Sequence, residues 1–326
     1  VTTGISQTQQ ARRPGWIRPR TAIMVAGALM FGALLYLQGT GSHVDPVRLV
    51  LAADPAWALL AVLAMAASYP TATMGFLGFV PERIGFARAA AAQLAGAFVK
   101  LVAPGGFGGM ALNTRLLLRA GIAPGPAASS VGAGQLLGLV LHMAQLAFFL
   151  WLTGFQPDHH ADGTAELVVL IGAGLLAVLA LALLIVPRPR RWVLARLRPL
   201  TEGSLTRLRD LTRHPGRLAV GVLGQLVISM TMVSCLYCCV RATGLAASFA
   251  AVAVAFLLGN ALGSATPTPG GVVGVEVTTA ALLSATTGIG NAQAYAPVVL
   301  FRLITLLLPV LPGWAAFGLL QRRKAL

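Results

Sequence analysis

The hydrophobic positions of this chain run together in long blocks instead of recurring at the spacing of one helical face. Residues 23–37, 56–80, 167–186 and 294–320 are nearly free of charge, and 127–153 and 218–240 are further apolar blocks. A helix needs about 20 apolar residues to cross a hydrocarbon layer of about 30 Å, so these blocks read as membrane spans. The first block follows Arg12, Arg13, Arg18 and Arg20 and could pass for a secretory leader. No clear small-residue cleavage site follows it and more spans do, so an uncleaved first span at about 21–38 is expected.

Two other apolar blocks are interrupted. Residues 89–103 break at Pro104-Gly105-Gly106-Phe107-Gly108-Gly109 and resume over 110–120. Residues 250–265 break at Pro267-Thr268-Pro269-Gly270-Gly271 and resume over 275–287. At 1.5 Å per residue, the second pieces are too short to span. Each interrupted block is either one broken span or a re-entrant hairpin that returns to its entry side. Basic residues belong in cytoplasmic loops, and this rule selects the hairpin. With the N-terminal arginines inside, Arg83 and Arg88 fall inside after the second span, and Asp158, Asp162 and Glu166 fall outside. The arginines from Arg188 to Arg217 reach the cytoplasm only if 89–120 returns to it. The same argument applied to Arg322, Arg323 and Lys324 returns the second hairpin to the outside.

The expected fold is therefore an all-α polytopic membrane protein with about six full spans and two re-entrant helical hairpins. A cytoplasmic tail, 1–20, precedes a membrane domain, 21–320, and a second tail, 321–326, comes after it. Within the domain, repeat one (about 56–153) and repeat two (about 218–320) flank the basic cytoplasmic loop 188–217. Each repeat is span, hairpin, span, and the hairpins enter from opposite sides, which makes the repeat inverted in topology. Aligning Pro104-Gly105-Gly106 with Pro269-Gly270-Gly271 puts Gly109 on Gly274. Both units then reach a Gly-Ile pair, Gly121-Ile122 and Gly288-Ile289, and fourteen residues beyond these glycines stand Gln135 and Arg302.

Composition agrees with a membrane protein. The chain is 57% hydrophobic and only 10% charged, with a mean hydropathy of +0.80. A water-soluble domain carries about 25% charged residues. The net charge of +15 would suggest nucleic acid in a soluble protein, but here it resides in short loops, so nucleic-acid binding is not expected. Cys235, Cys238 and Cys239 share a helical face with no histidine nearby and read as packing residues. No metal, cofactor, nucleophile triad or phosphate-binding loop is expected.

The candidate chemistry gathers at the breaks. Non-helical backbone at membrane depth is tolerated only when buried in protein or lining a wet cavity. A helix starting after a glycine turn offers free N–H groups and the positive end of its dipole. Pro104, Gly105, Gly106 and Gly109, with Pro269, Gly270 and Gly271, are thus candidates to approach a lipid headgroup. The plain alternative for each is an ordinary surface loop. Lys100, Glu276 and Arg302 are ionisable residues at membrane depth, where charge is costly. Glu276 lies in the first turn of its helix, so a capping role and a ligand role both stand. Arg302 is expected to pair with it. Asn113 and Arg115 follow the first break, and snorkelling to headgroups is the ordinary reading of Arg115 and Arg119. Gln135, His142 and Gln145 form a stripe that would ordinarily bond neighbouring helices.

These residues resemble a family. The run Ala103-Pro104-Gly105-Gly106-Phe107-Gly108-Gly109, with Ala111-Leu112-Asn113 and Arg115, is similar to its first motif. Pro267-Thr268-Pro269-Gly270-Gly271 with Glu276 is similar to its second. Phe301-Arg302-Leu303 and Leu308-Pro309-Val310-Leu311-Pro312-Gly313-Trp314 are similar to its C-terminal signature. The family is the flippase-like one named for the transmembrane region of lysylphosphatidylglycerol synthase, and the chain looks like an actinobacterial-type member without the soluble synthase domain. The resemblance implies movement of a lipid or lipid-linked precursor between leaflets. It departs from the common pattern at Ala111, Asn113 and Gln135, where many members carry an acidic residue and arginines.

The expected function is a lipid flippase of the bacterial inner membrane, not an enzyme, with both termini cytoplasmic. Membrane lipids are its partners, and a homo-oligomer or a partner membrane enzyme is left open. Two rivals stand beside it. A polyprenyl-phosphate-dependent glycosyltransferase would need an acidic residue in an outer loop, for which Asp45 and Asp54 are available. A non-transporting assembly subunit is the other.

Overall fold

A computed structural model describes residues 51–80, 82, 84–102, 107–153, 204–263 and 274–323. The expected spans at 21–38 and 167–186 lie outside the described residues, as do Pro104, Gly105, Gly106, Pro269, Gly270 and Gly271.

Among the described residues the fold is entirely helical. The helices are α1 (Pro55–Gly78), α2 (Phe86–Val102), α3 (Phe107–Arg119), α4 (Pro124–Leu152), α5 (Ser204–Leu211), α6 (Pro215–Ala242), α7 (Phe249–Gly263), α8 (Gly274–Thr287), α9 (Asn291–Arg302) and α10 (Val310–Arg322). Helices α1, α4, α6 and the continuous run Asn291–Arg322 are long and apolar enough to cross a membrane. Their outer faces are apolar too. Leu59, Leu63, Leu139, Val140, Phe148, Leu223 and Leu311 are all exposed, which a water-facing bundle would avoid over so wide a surface.

Helix starts follow local chemistry. Asp54 caps α1, accepting hydrogen bonds from the backbone N–H groups of Ala56 (2.8 Å) and Trp57 (3.2 Å), and Pro55 fits the first turn. Helices α4 and α6 also begin at prolines, Pro124 and Pro215.

Helices α2 and α3 pack on each other as a hairpin, and so do α7 and α8. In the second hairpin, Thr286 Oγ1 donates to Ala251 O (3.1 Å) at the open end, and Gly263 meets Val275 at the turn end, so the arms are antiparallel. In the first, Gln93 Nε2 donates to Asn113 Oδ1 at 3.1 Å and clasps the arms. With 13 to 17 residues each, the arms are about 20–26 Å long, short of a full crossing.

The hairpins sit at opposite ends of the bundle. One buried cluster joins hairpin α2–α3 to the end of α1 (Phe76, Val80), the start of α4 (Ala127, Val131) and the end of α10 (Ala316, Leu320). The other joins hairpin α7–α8 to the start of α1 (Ala61, Met65), the end of α4 (Leu146, Phe149) and α9 (Val298, Phe301). Between them α1 and α6 cross antiparallel over their whole lengths. Asp54 N donates to Ala242 O (2.9 Å) at one end, and Gly75 and Gly78 lie against Gly224 and Gly221 at the other. The absence of side chains there lets the two backbones touch. The ring of Phe79 fills the notch left by Gly134 and Gly221.

Two features differ from the sequence expectation. The basic loop 188–217 contains a helix, α5, which sits on α4 through Ser204 Oγ donating to Ser129 O (3.3 Å). The last span is not a uniform helix. Residues Leu303–Leu307 form a π-helical turn, with Leu308 N donating to Leu303 O at 3.1 Å. Pro309 lacks the N–H that would bond the carbonyl four residues back, and the ladder widens ahead of it.

Candidate functional site

The buried charged side chains among the described residues, Glu276 and Arg302, form an ion pair. Glu276 enters from the first turn of α8, where the positive end of the helix dipole favours a carboxylate. Arg302 enters from the last turn of α9. Its Nε donates to Glu276 Oε1 at 2.7 Å, and the two side chains are 10% and 6% exposed, arginine first. The pairing expected from their depth is therefore present. The capping alternative for Glu276 is not what its side chain is used for here. Two charges this deep are stabilised by each other, and removing one partner of such a pair typically costs about 3–5 kcal/mol.

The pair is incompletely satisfied. Among the described residues, Glu276 Oε2 is buried without a hydrogen-bond partner, and one turn along α8 so is Thr279 Oγ1. The Thr279 hydroxyl faces Gly259 of α7, where a methyl group would come within 2.6 Å of it, and the neighbouring Thr278 hydroxyl donates to Gly259 O at 2.9 Å. A buried carboxylate oxygen with no donor is costly to keep and marks a place where a donor from outside can bind.

Lys100 stands in the last turn of α2, within electrostatic reach of Arg302, and keeps an exposed side chain. Lys100 of the first hairpin thus stands on the same side of the bundle as the neutral Glu276–Arg302 pair and adds one positive charge beside it.

The remaining candidates are distributed differently. Asn113 is engaged by Gln93 across the first hairpin. Arg115 is exposed on α3 and lines a groove of about 670 Å³ together with Arg119, well removed in sequence from the ion pair. Gln135 is exposed on α4, whereas its stripe-mates bond neighbouring helices: His142 Nε2 lies 3.0 Å from Leu257 O, and Gln145 Nε2 donates to Leu226 O at 3.0 Å. Gly109 lies inside α3 with open space around it. Gln93 and Thr279 were not singled out from the sequence; a lone glutamine in the apolar stretch between Arg88 and Lys100 was the available signal for the first.

The two Gly-Ile pairs occupy equivalent places. Gly121 (φ 85°) and Gly288 (φ 71°) each end the second arm of a hairpin in the left-handed conformation that favours glycine. Helix pairing repeats as well: α1 packs on α2 as α6 packs on α7, and α2 packs on α10 as α7 packs on α4.

These features define a class, a multi-pass helical membrane protein with half-length hairpins beside buried charge. The chain belongs to the family of the lysylphosphatidylglycerol synthase TM region, whose profile matches residues 22–313. No curated protein matches the chain.

Proposed function

We propose that the protein moves a phospholipid or lipid-linked precursor between the leaflets of the bacterial inner membrane. The observation that carries this reading is the buried Glu276–Arg302 pair with an unsatisfied carboxylate oxygen, set in a hairpin too short to cross the membrane. A headgroup crossing about 30 Å of hydrocarbon must exchange its water for other polar partners. Lys100 and Arg302 supply positive charge for a lipid phosphate, Glu276 Oε2 supplies an acceptor, and Gly105, Gly106, Gly270 and Gly271 carry no side chain to keep a headgroup off the backbone.

The reading includes an inverted repeat with six spans and two re-entrant hairpins, and both termini in the cytoplasm. The matching Gly121 and Gly288 turns, the paired helix contacts and the placement of the hairpins at opposite ends support it. Hairpins of opposite entry would present the charged region to each leaflet in turn. In this reading the protein is a transporter and not an enzyme, acting alone, as a homo-oligomer or beside a membrane enzyme.

The glycosyltransferase alternative draws on Asp45 and Asp54. Asp45 lies outside the described residues, and the Asp54 carboxylate is engaged as the cap of α1. The test is reconstitution in liposomes with anionic phospholipid and polyprenyl-phosphate probes. Wild type should speed exchange between leaflets, and Gly105→Val with Gly270→Val should slow it while the protein stays folded. Asp45→Asn with Asp54→Asn should leave exchange intact. Unchanged exchange in the glycine variants rejects the site, and no exchange of any probe by wild type favours the assembly-subunit reading.

A further inference from the structure

The first hairpin lacks the ion pair that the second has. In the alignment that sets Gly109 on Gly274, Ala111 stands where Glu276 stands. Counting fourteen residues from Gly121 and Gly288, Gln135 stands where Arg302 stands. The structure holds a groove at this position. It runs between α3 and the first turns of α4, encloses about 670 Å³, reaches Ala111, and has an apolar floor made by Met110, Leu118, Ala128 and Val131. On its wall stand Arg115 and Arg119, four residues apart and so on one face of α3. The carboxylates among the described residues are Asp54, Glu82, Asp210 and Glu276, and neither arginine forms an ion pair with any of them. The Thr114 hydroxyl is already donating to Met110 O at 2.9 Å, which leaves the guanidinium groups as the donors for an anion.

We propose that this groove is a second lipid site, which holds an anionic phospholipid of the adjacent leaflet with its phosphate on Arg115 and Arg119 and its glycerol and upper acyl chains on the apolar floor. The lipid phosphate supplies the negative charge that Ala111 does not. Two adjacent guanidinium groups suit phosphate, which they bind in fork geometry. The aliphatic floor is what selects an amphiphile over a free anion. The site rests on the membrane placement of the chain and not on transport, so a protein that exchanges no lipid should still hold phospholipid here.

Native mass spectrometry of the purified full chain, titrated with phosphatidylglycerol and phosphatidylcholine, tests this. Wild type should retain phosphatidylglycerol in preference to phosphatidylcholine. Ala111→Glu, which gives the first hairpin its own carboxylate, should weaken phosphatidylglycerol retention at least tenfold, and Arg115→Ala with Arg119→Ala should do the same. Ala111→Gln, of equal size and no charge, and Arg209→Ala with Arg213→Ala, exposed arginines elsewhere, should leave it within twofold. Should Ala111→Glu fail to fold, the double arginine variant carries the test. Equal loss in the Gln and Glu variants, or in the two double arginine variants, overturns the proposal. So does equal retention of the two lipids, or displacement by millimolar inorganic phosphate. A wild type that exchanges lipid between leaflets but shows no preference for phosphatidylglycerol removes the groove and leaves the transport reading standing.

Discussion

Replacing Glu276 with Gln tests the ion pair most directly. The substitution keeps the shape of the side chain and removes the countercharge of an arginine that is 10% exposed. The guanidinium charge is then left buried without that carboxylate. Breaking a buried pair of this kind costs about 3–5 kcal/mol. The lower end is expected here, because the contact is one charge-assisted bond through Nε rather than a two-pronged fork, and Glu276 Oε2 contributes no bond to be lost. Arg302→Met is expected to cost a similar amount, since it leaves the carboxylate without its partner. The double variant, Glu276→Gln with Arg302→Met, carries no buried charge and should be more stable than either single one. The coupling energy should therefore be about 2–3 kcal/mol, as for groups in direct contact. Reversible unfolding in mixed micelles, followed by helical circular dichroism, measures all four corners of the cycle. Strictly additive single losses would refute the pair as a source of stability.

Packing and topology set further expectations. Gly221→Leu or Gly224→Val puts a side chain where α1 and α6 touch backbone to backbone and should destabilise the fold by at least about 1–3 kcal/mol, read as a lower melting temperature, whereas Gly318→Ala, with open space around it, should be neutral or gain up to about 1 kcal/mol. Gln93→Leu leaves Asn113 without its clasp and should cost about 1–3 kcal/mol in the same unfolding assay. A single cysteine at position 196 should be labelled only from the cytoplasm in intact cells, and one at position 162 only from outside; labelling of position 196 from outside would reject the returning first hairpin.

The features legible in the sequence were those that the bilayer forces onto it. A lipid solvent demands apolar runs of full length, so α1, α4, α6 and the last span were visible as blocks. It tolerates Pro-Gly breaks only in special places, so the division of each interrupted block into two short helices was visible in the sequence. Glu276 and Arg302 could be paired from sequence because so few charges lie at depth that the choice of partner was short. The clasp between Gln93 and Asn113 was not legible, because it depends on how the two arms are rotated about their axes. Helix α5 was hidden in a run of arginines that reads as solvated loop. The groove at Ala111 was hardest to see, since it is made by a side chain that is missing. Pro309 was plain in the sequence, but the turn that yields to it lies ahead of it, at Leu303–Leu307.

That yielding turn changes what one span can face. In an unbroken α-helix, Arg302 and Gly313 would lie about 20° apart around the axis, on a common side. The extra residue taken up by a π turn swings the remainder of the helix by about 100°, so the two come to lie about 80° apart. The phase shift lets a single crossing serve two neighbours. Arg302 meets Glu276 of the second hairpin, while Gly313 presents bare backbone to Leu94 and Phe98 of the first. The last span thus meets the two hairpins with two different faces, as a straight helix could not. Along this span, a tilt of either hairpin reaches the other through five residues whose hydrogen-bond ladder is already out of step.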